Sequence, residues 1–126
     1  MLNDRGAHIA IKAIAMGIDG TPPNRQKVNS PRKREKLLAA QEAGNKLILA
    51  SGRPARGLRA LGQELDLQNH DGLRVAFNGA HVVDAQTDEV LFDQAMPVDE
   101  LHRLLDHLRN FDVIPMISLG RDLHVV

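Results

Sequence analysis

Three short polar clusters hold the side chains of this 126-residue chain best suited to chemistry on a small anion. The first is Gly17-Ile18-Asp19-Gly20-Thr21, where a carboxylate, a hydroxyl and glycine N–H groups follow an apolar run and could face a phosphate or a metal. The second is Ser51-Gly52-Arg53, a hydroxyl and a guanidinium just ahead of a helical segment, whose N-terminal N–H groups attract anions. The third is Asn78-Gly79. Each alone is ordinary turn chemistry, because Gly, Asn, Asp and Ser suit strand–turn junctions for conformational reasons. Together they gain weight because each follows a run of strand length. In open α/β sheets, ligands bind in the crevice beyond the carboxyl ends of the strands.

The elements that must position these clusters are legible from pattern. Ile9 to Met16 is nearly continuously apolar, which predicts a strand buried on both faces of a parallel sheet. Gly17 to Asn29 is turn-rich. Ser30-Pro31 pairs an N-cap with a proline at the first helical position, and predicts a helix to about Ala43 that Gly44 stops. Lys46 to Ser51 predicts a second buried strand, and Gly52-Arg53-Pro54 a tight turn. A helix to about Leu65 follows, with its apolar stripe at Leu58, Leu61 and Leu65. Leu73 to Phe77 predicts a third strand. Strand–helix–strand–helix–strand is the pattern of a doubly wound α/β sheet. Beyond it, His81–Val83 and Val90–Phe92 predict a hairpin around a turn at 85–89. Val98 to Asn110 predicts a helix with Leu101, Leu104, Leu105 and Leu108 on one face. Val113–Ile117 and Leu123–Val126 predict two short strands.

Composition removes several function classes. There is no Cys, which excludes disulfides, thiolate metal sites and cysteine nucleophiles. Trp and Tyr are absent and Phe occurs three times, so a base-stacking platform for single-stranded nucleic acid is not expected. Net charge is zero but uneven: residues 1–63 hold 12 Lys and Arg against 4 Asp and Glu, and the remainder holds the converse. A basic first half suits an anionic ligand, and a solvated basic helix gives the same count. The basic run from Asn24 to Lys36 has no interleaved aromatic residue and reads as such a helix face, so no nucleic-acid partner is expected. His102 and His107 lie about 140° apart around a helix and do not share a metal readily. The longest apolar stretch, His8 to Ile18, contains Lys12 and is too short to span a bilayer. A cytoplasmic location with no membrane partner is expected.

The motifs DGT, SGRP and NGA occur in that order within IKAIAMGIDGTPPN, SPRKREKLLAAQEAGNKLILASGRP and FNGAHVVD. This combination resembles the haloacid dehalogenase (HAD) superfamily, and more narrowly its Cof-type (HAD-IIB) sugar-phosphate phosphatases, whose first motif reads DxDGT. The resemblance runs from about Ile11 to the end. It implies a leader over 1–10, the amino-terminal part of a HAD-like, Rossmann-type parallel sheet with helices over 11–80, and the start of an α/β cap over 81–126. It also implies Mg²⁺-dependent hydrolysis of small phosphate monoesters such as sugar phosphates. There a carboxylate nucleophile forms an aspartyl-phosphate, and a second carboxylate serves as acid and base. By position, Asp19 is the acid/base residue and its main-chain carbonyl a metal ligand. Ser51 is the phosphate-holding hydroxyl, and Thr21, Gly52 and Arg53 belong to the phosphate-binding loops. Asn78 and Gly79 lie on the cap and substrate side.

The departures from the family pattern are equally specific. The nucleophile position is Gly17, so neither an aspartyl-phosphate nor that carboxylate's bond to Mg²⁺ is available. Pro22-Pro23 and Asn45 stand where the family carries apolar residues. Family members are roughly twice this length, so a truncated chain is expected, missing the later Lys and the acidic metal-binding motif. The first strand is central in the family's sheet, and here it would keep an unpaired apolar edge. As written, the chain is expected to be an inactive relative of phosphatases. The alternative is a non-catalytic protein that binds a phosphorylated metabolite or another partner.

Overall fold

The computed structural model describes residues 10–18, 30–120 and 122–126. The described residues up to Asp93 form one compact unit, and Gln94–Val126 a second.

In the first unit, strand β1 spans Ala13–Gly17 and helix α1 Pro31–Glu42. Helix α1 starts as its sequence dictates. Ser30 is extended (φ −65°, ψ 133°), its hydroxyl accepts the Lys33 N–H at 3.4 Å, and Pro31 occupies a position that needs no donor. The helix ends in a Schellman motif. Gly44, at φ +96°, donates its N–H to the Gln41 carbonyl, and the Asn45 N–H reaches the Ala40 carbonyl at 3.0 Å. The Asn45 side chain donates to the same carbonyl at 2.9 Å. Asn45, anomalous in the family pattern, thus secures a helix end. This fixes where strand β2 (Lys46–Ala50) can begin. Its pairing with β1 starts at Ala13↔Lys46, which is why β1 is shorter than the apolar run predicts.

The segment after Pro54 is not one helix. Ala55–Leu58 is a 3₁₀ turn, followed by a short helix α2 over Arg59–Glu64. Leu58 and Leu65 are buried and Leu61 is half-buried, so the predicted stripe does face the core. Strand β3 (Leu73–Ala76) ends one residue earlier than expected, because Phe77, Asn78 and Gly79 adopt φ of 49°, 57° and 101°. Strands β4 (His81–Asp84) and β5 (Val90–Asp93) form the predicted hairpin.

The sheet order is β1-β2-β3-β4-β5, parallel across the first three strands and antiparallel thereafter. Among the described residues β1 has β2 as its one strand neighbour. The hairpin, assigned from sequence to the cap region, pairs with β3 through Leu73↔Asp84 to Ala76↔His81 and so continues the core sheet. The unit boundary therefore falls after Asp93 rather than at 80.

One face of the sheet carries the core. Leu47 and Leu49 of β2 pack with Leu65 and Leu67, and Ile14, Met16, Ile18, Leu37 and Leu61 lie against them. The face bearing Ile48, Leu73 and Val75 is half-buried, so burial on both faces, expected from continuous apolarity, is not seen among the described residues. The topology gives the reason. Two right-handed crossovers that advance in one direction, β1 to β2 to β3, set both helices on the same side.

Arg74, also on the core side, is buried, with its side chain 5% exposed. Its guanidinium donates to the Asp88 carboxylate in the hairpin turn and, at 3.4 Å, to the Ala55 carbonyl. Arg59 of α2 holds the other oxygen of Asp88 from solvent. Burial first, and the Arg59 cation second, lower the Arg74 pKa, opposed by Asp84.

The same hairpin supplies a pH dependence. The Asp84 Oδ1 accepts the backbone N–H groups of Thr87 (2.9 Å) and Gln86 (2.8 Å), which hold its carboxyl below the usual carboxylate range. A lowered folded pKa stabilises the fold above the unfolded value of about 3.9, and that contribution disappears as pH falls through the folded value. The stability gap between the natural chain and Asp84→Ala is therefore expected to be constant from pH 7 to about pH 5 and to close below about pH 4. Urea midpoints of both proteins across that range measure it.

The second unit comprises helix α3 (Val98–Leu108) and the antiparallel pair β6 (Met116–Leu119) and β7 (Asp122–Val125). Asp99 and Glu100 in the first turn and His107 in the last complement the dipole of α3, and Leu101, Leu105 and Leu108 line its half-buried side. Strand β6 starts after Pro115, which has no N–H for a ladder, and stops at Gly120, φ +58°. These two residues shift both strands from the predicted bounds.

Candidate phosphate site

The carboxyl ends of β1, β2 and β3 meet around a cavity of about 410 Å³ lined by Gly17, Ala50, Ser51, Gly52, Val75, Asn78 and Gly79. Ladder register explains the convergence. Gly17 pairs with Ala50 and Ala50 with Val75, so the three strands end level with one another.

Each position has a distinct geometry. Among the described residues, no atom stands within 4 Å of a Cβ built on Gly17. Ser51 is buried; its N–H donates to the Val75 carbonyl at 2.9 Å, and its Oγ accepts the Arg53 N–H at 3.0 Å. That side chain-to-backbone bond curls the Ser51–Arg53 loop over the end of β2. Two further bonds fasten the loop to the end of β3. Asn78 N–H donates to the Ser51 carbonyl and Phe77 N–H to the Arg53 carbonyl, both at 3.1 Å. Gly52 makes the approach possible, because a Cβ there would stand 3.1 Å from Asn78 Oδ1.

Of the residues selected from sequence, Gly17, Ser51, Gly52, Asn78 and Gly79 come together in one cavity. Arg53 is not among the lining residues and enters through its backbone bonds. Asp19, Gly20 and Thr21 lie outside the described residues. The helix N-terminus expected after Arg53 is a four-residue 3₁₀ turn with no side-chain cap, so the aligned N–H groups of an α-helix are not available there. Ala50 and Val75 form an apolar part of the lining that the sequence reading missed, although their places at strand ends signal it.

Among the described residues the donor set does not make up a carboxylate Mg²⁺ site. Gly17 contributes no side-chain oxygen, and the described residues include no group of three or more His, Asp or Glu able to share a metal.

A partly parallel α/β sheet with its cavity at the carboxyl ends of the strands belongs to the class of α/β proteins that bind ligands beyond those strand ends. Residues 14–125 match the haloacid dehalogenase-like hydrolase family, and the chain belongs to it. It is 35% identical over 95 residues to YxeH of Bacillus subtilis (strain 168), named a phosphatase, a match over 75% of this chain and 35% of that protein. A haloacid dehalogenase-like hydrolase from Bacteroides thetaiotaomicron superposes with a TM-score of 0.80 and 29% identity, over 92% of this chain and 44% of that one. A HAD subclass IIB sugar phosphatase superposes with a TM-score of 0.67 and 25% identity, over 90% and 43%. The chain thus spans about a third of the length of the curated relative. No helix among the described residues is long and apolar enough to cross a membrane.

Proposed function

We propose that this chain carries the phosphate-holding part of a HAD-type phosphatase site for small phosphate monoesters such as sugar phosphates, and that with Gly17 in place it holds the ester without cleaving it. The convergence of Gly17, Ser51, Gly52 and Asn78 on one cavity at three strand ends carries this reading. The likeness to a HAD subclass IIB sugar phosphatase supports the substrate class. In this role Ser51 and the Gly52 backbone hold the phosphoryl oxygens, and the family pattern gives Asp19 the acid/base role. No group at position 17 can attack phosphorus. Family membership implies Mg²⁺ as the ion that neutralises phosphate charge, and the Gly17 chain holds its ester without that ion.

The test places a carboxylate back at position 17. Inorganic phosphate titrated into the ¹⁵N-labelled natural chain is expected to move the Ser51 and Gly52 amide peaks saturably, with or without Mg²⁺. In Gly17→Asp, phosphate should bind about tenfold more weakly without metal, because a like charge about 4 Å away costs on the order of 1 kcal/mol or more. Unmoved Ser51 and Gly52 peaks at millimolar phosphate would overturn the reading.

A further inference from the structure

We infer that Asn78 contacts the phosphoryl group itself, rather than the alcohol portion of the ester; this inference rests on the phosphate-site reading above. Its carboxamide lines the cavity and makes no hydrogen bond to a described residue, so donor and acceptor are both unspent. It is also held at the phosphoryl end. Among the described residues other than Ser51 and Arg53, Asn78 has the side chain nearest to a Cβ built on Gly52, with Oδ1 at 3.1 Å and Nδ2 at 3.7 Å. Gly52 is the residue that follows the phosphate-holding Ser51. The carboxamide thus stands beside the backbone expected to hold the phosphoryl oxygens, where an Nδ2–H···O⁻ bond is charge-assisted.

The backbone that holds it there is strained. Asn tolerates the left-handed region, but a bulky Phe does not, and Phe77 sits at φ 49° immediately before Asn78 at 57°. Such strain persists only where surrounding bonds over-determine it. Here those bonds are the Phe77 and Asn78 N–H groups on the carbonyls of Arg53 and Ser51. These bonds fix the backbone at Asn78, and with it the point from which the carboxamide projects beside Gly52.

The experiment is the same inorganic phosphate titration, read at two places. The Gly52 amide reports the phosphate-site reading, and the Asn78 Nδ2H₂ cross-peaks report the inference. Both are expected to move along one binding curve. Asn78→Gly, which accepts φ 57° freely, should weaken phosphate about tenfold through loss of one charge-assisted bond, with the urea midpoint retained. Asn78→Asp, nearly the same shape, should weaken it more, by about 30-fold or greater, because it sets a like charge against the anion. A purely structural role would not rank Asp below Gly. If Gly52 moves while the Asn78 side chain does not, and Asn78→Gly binds like the natural chain, the inference is overturned and the phosphate site stands. If Gly52 does not move, the phosphate site fails and the inference falls with it.

Discussion

Asp88→Asn is expected to destabilise the first unit by about 3 kcal/mol, because it leaves the buried Arg74 guanidinium without its counter-charge. The substitution isolates charge. Asn has nearly the same shape, accepts φ 59° as readily as Asp, and still offers one carbonyl oxygen. What it cannot do is compensate a cation whose side chain is 5% exposed and whose other described hydrogen bond is a 3.4 Å contact with the Ala55 carbonyl. Arg59 touches the same carboxylate from solvent, at 51% exposure, and provides the internal control. Arg59→Ala should change stability by no more than about 0.5–1 kcal/mol, as for other surface ion pairs. The two losses together are a large fraction of the roughly 5–15 kcal/mol that holds a domain of this size. Urea unfolding of the two variants and of Arg74→Met/Asp88→Asn measures the effect. In the double variant an apolar chain of similar reach replaces the cation, and most of the Asp88→Asn loss should return. Equal midpoints for Asp88→Asn and Arg59→Ala would mean that Arg74 keeps enough water to need no partner.

That network also marks where sequence reasoning stops. Helix α1 is legible because its signals are local: Ser30 and Pro31 at one end and Gly44 at the other act within four residues of where they stand. The three strand ends are legible for a related reason, since the small polar residues that terminate strands are also the residues that can face an anion. Arg74 is different. In the run Leu73–Ala76 it reads as an interruption of an apolar strand, and the acid that compensates it lies 14 residues on, in a hairpin turn. No periodicity links the two. Phe77 is similarly opaque, because nothing in a phenylalanine announces φ 49°; two bonds to carbonyls 24 and 27 residues earlier impose it. The broken helix after Pro54 has a partly local explanation. It lacks a capping side chain, and Gly57 and Gly62 lower helix propensity over a segment only ten residues long. A Cβ at Gly62 would meet Arg74, Leu67 and Leu49 at 3.8–4.0 Å, which is ordinary van der Waals contact, so packing alone does not demand a glycine there. The apolar stripe of the predicted helix was correct because burial depends on which side of the chain is apolar, and a 3₁₀ turn followed by α-helix still presents Leu58, Leu61 and Leu65 inward.

Gly72→Ala should be as damaging as any change to the core, at about 3 kcal/mol or more, although it adds one methyl group. A Cβ at position 72 would lie 2.6 Å from both Cβ and Cγ of Leu67 and 2.9 Å from its carbonyl oxygen. Leu67 is fully buried within the core cluster, so its side chain has no open rotamer to take. The carbonyl cannot withdraw either, because it accepts the Gly72 N–H at 2.9 Å and the His70 N–H at 3.2 Å. The Gly72 carbonyl in turn accepts the Ala85 N–H at 3.0 Å. Relief therefore requires moving the chain at the start of β3, and with it the register that brings Val75 level with Ala50 beneath the Ser51–Arg53 loop. Gly17→Ala is the matched comparison: the same methyl group, at a strand end where it meets no described atom within 4 Å, should be neutral or stabilise slightly through the unfolded chain, by up to about 1 kcal/mol. Thermal unfolding of the two variants reads the contrast directly, with a fall of more than about 10 °C for Gly72→Ala and little change for Gly17→Ala. The same glycine-to-alanine change thus tests two opposite properties of one sheet. At position 72 it meets a core with no room for a methyl group, and at position 17 it meets no described atom within contact distance.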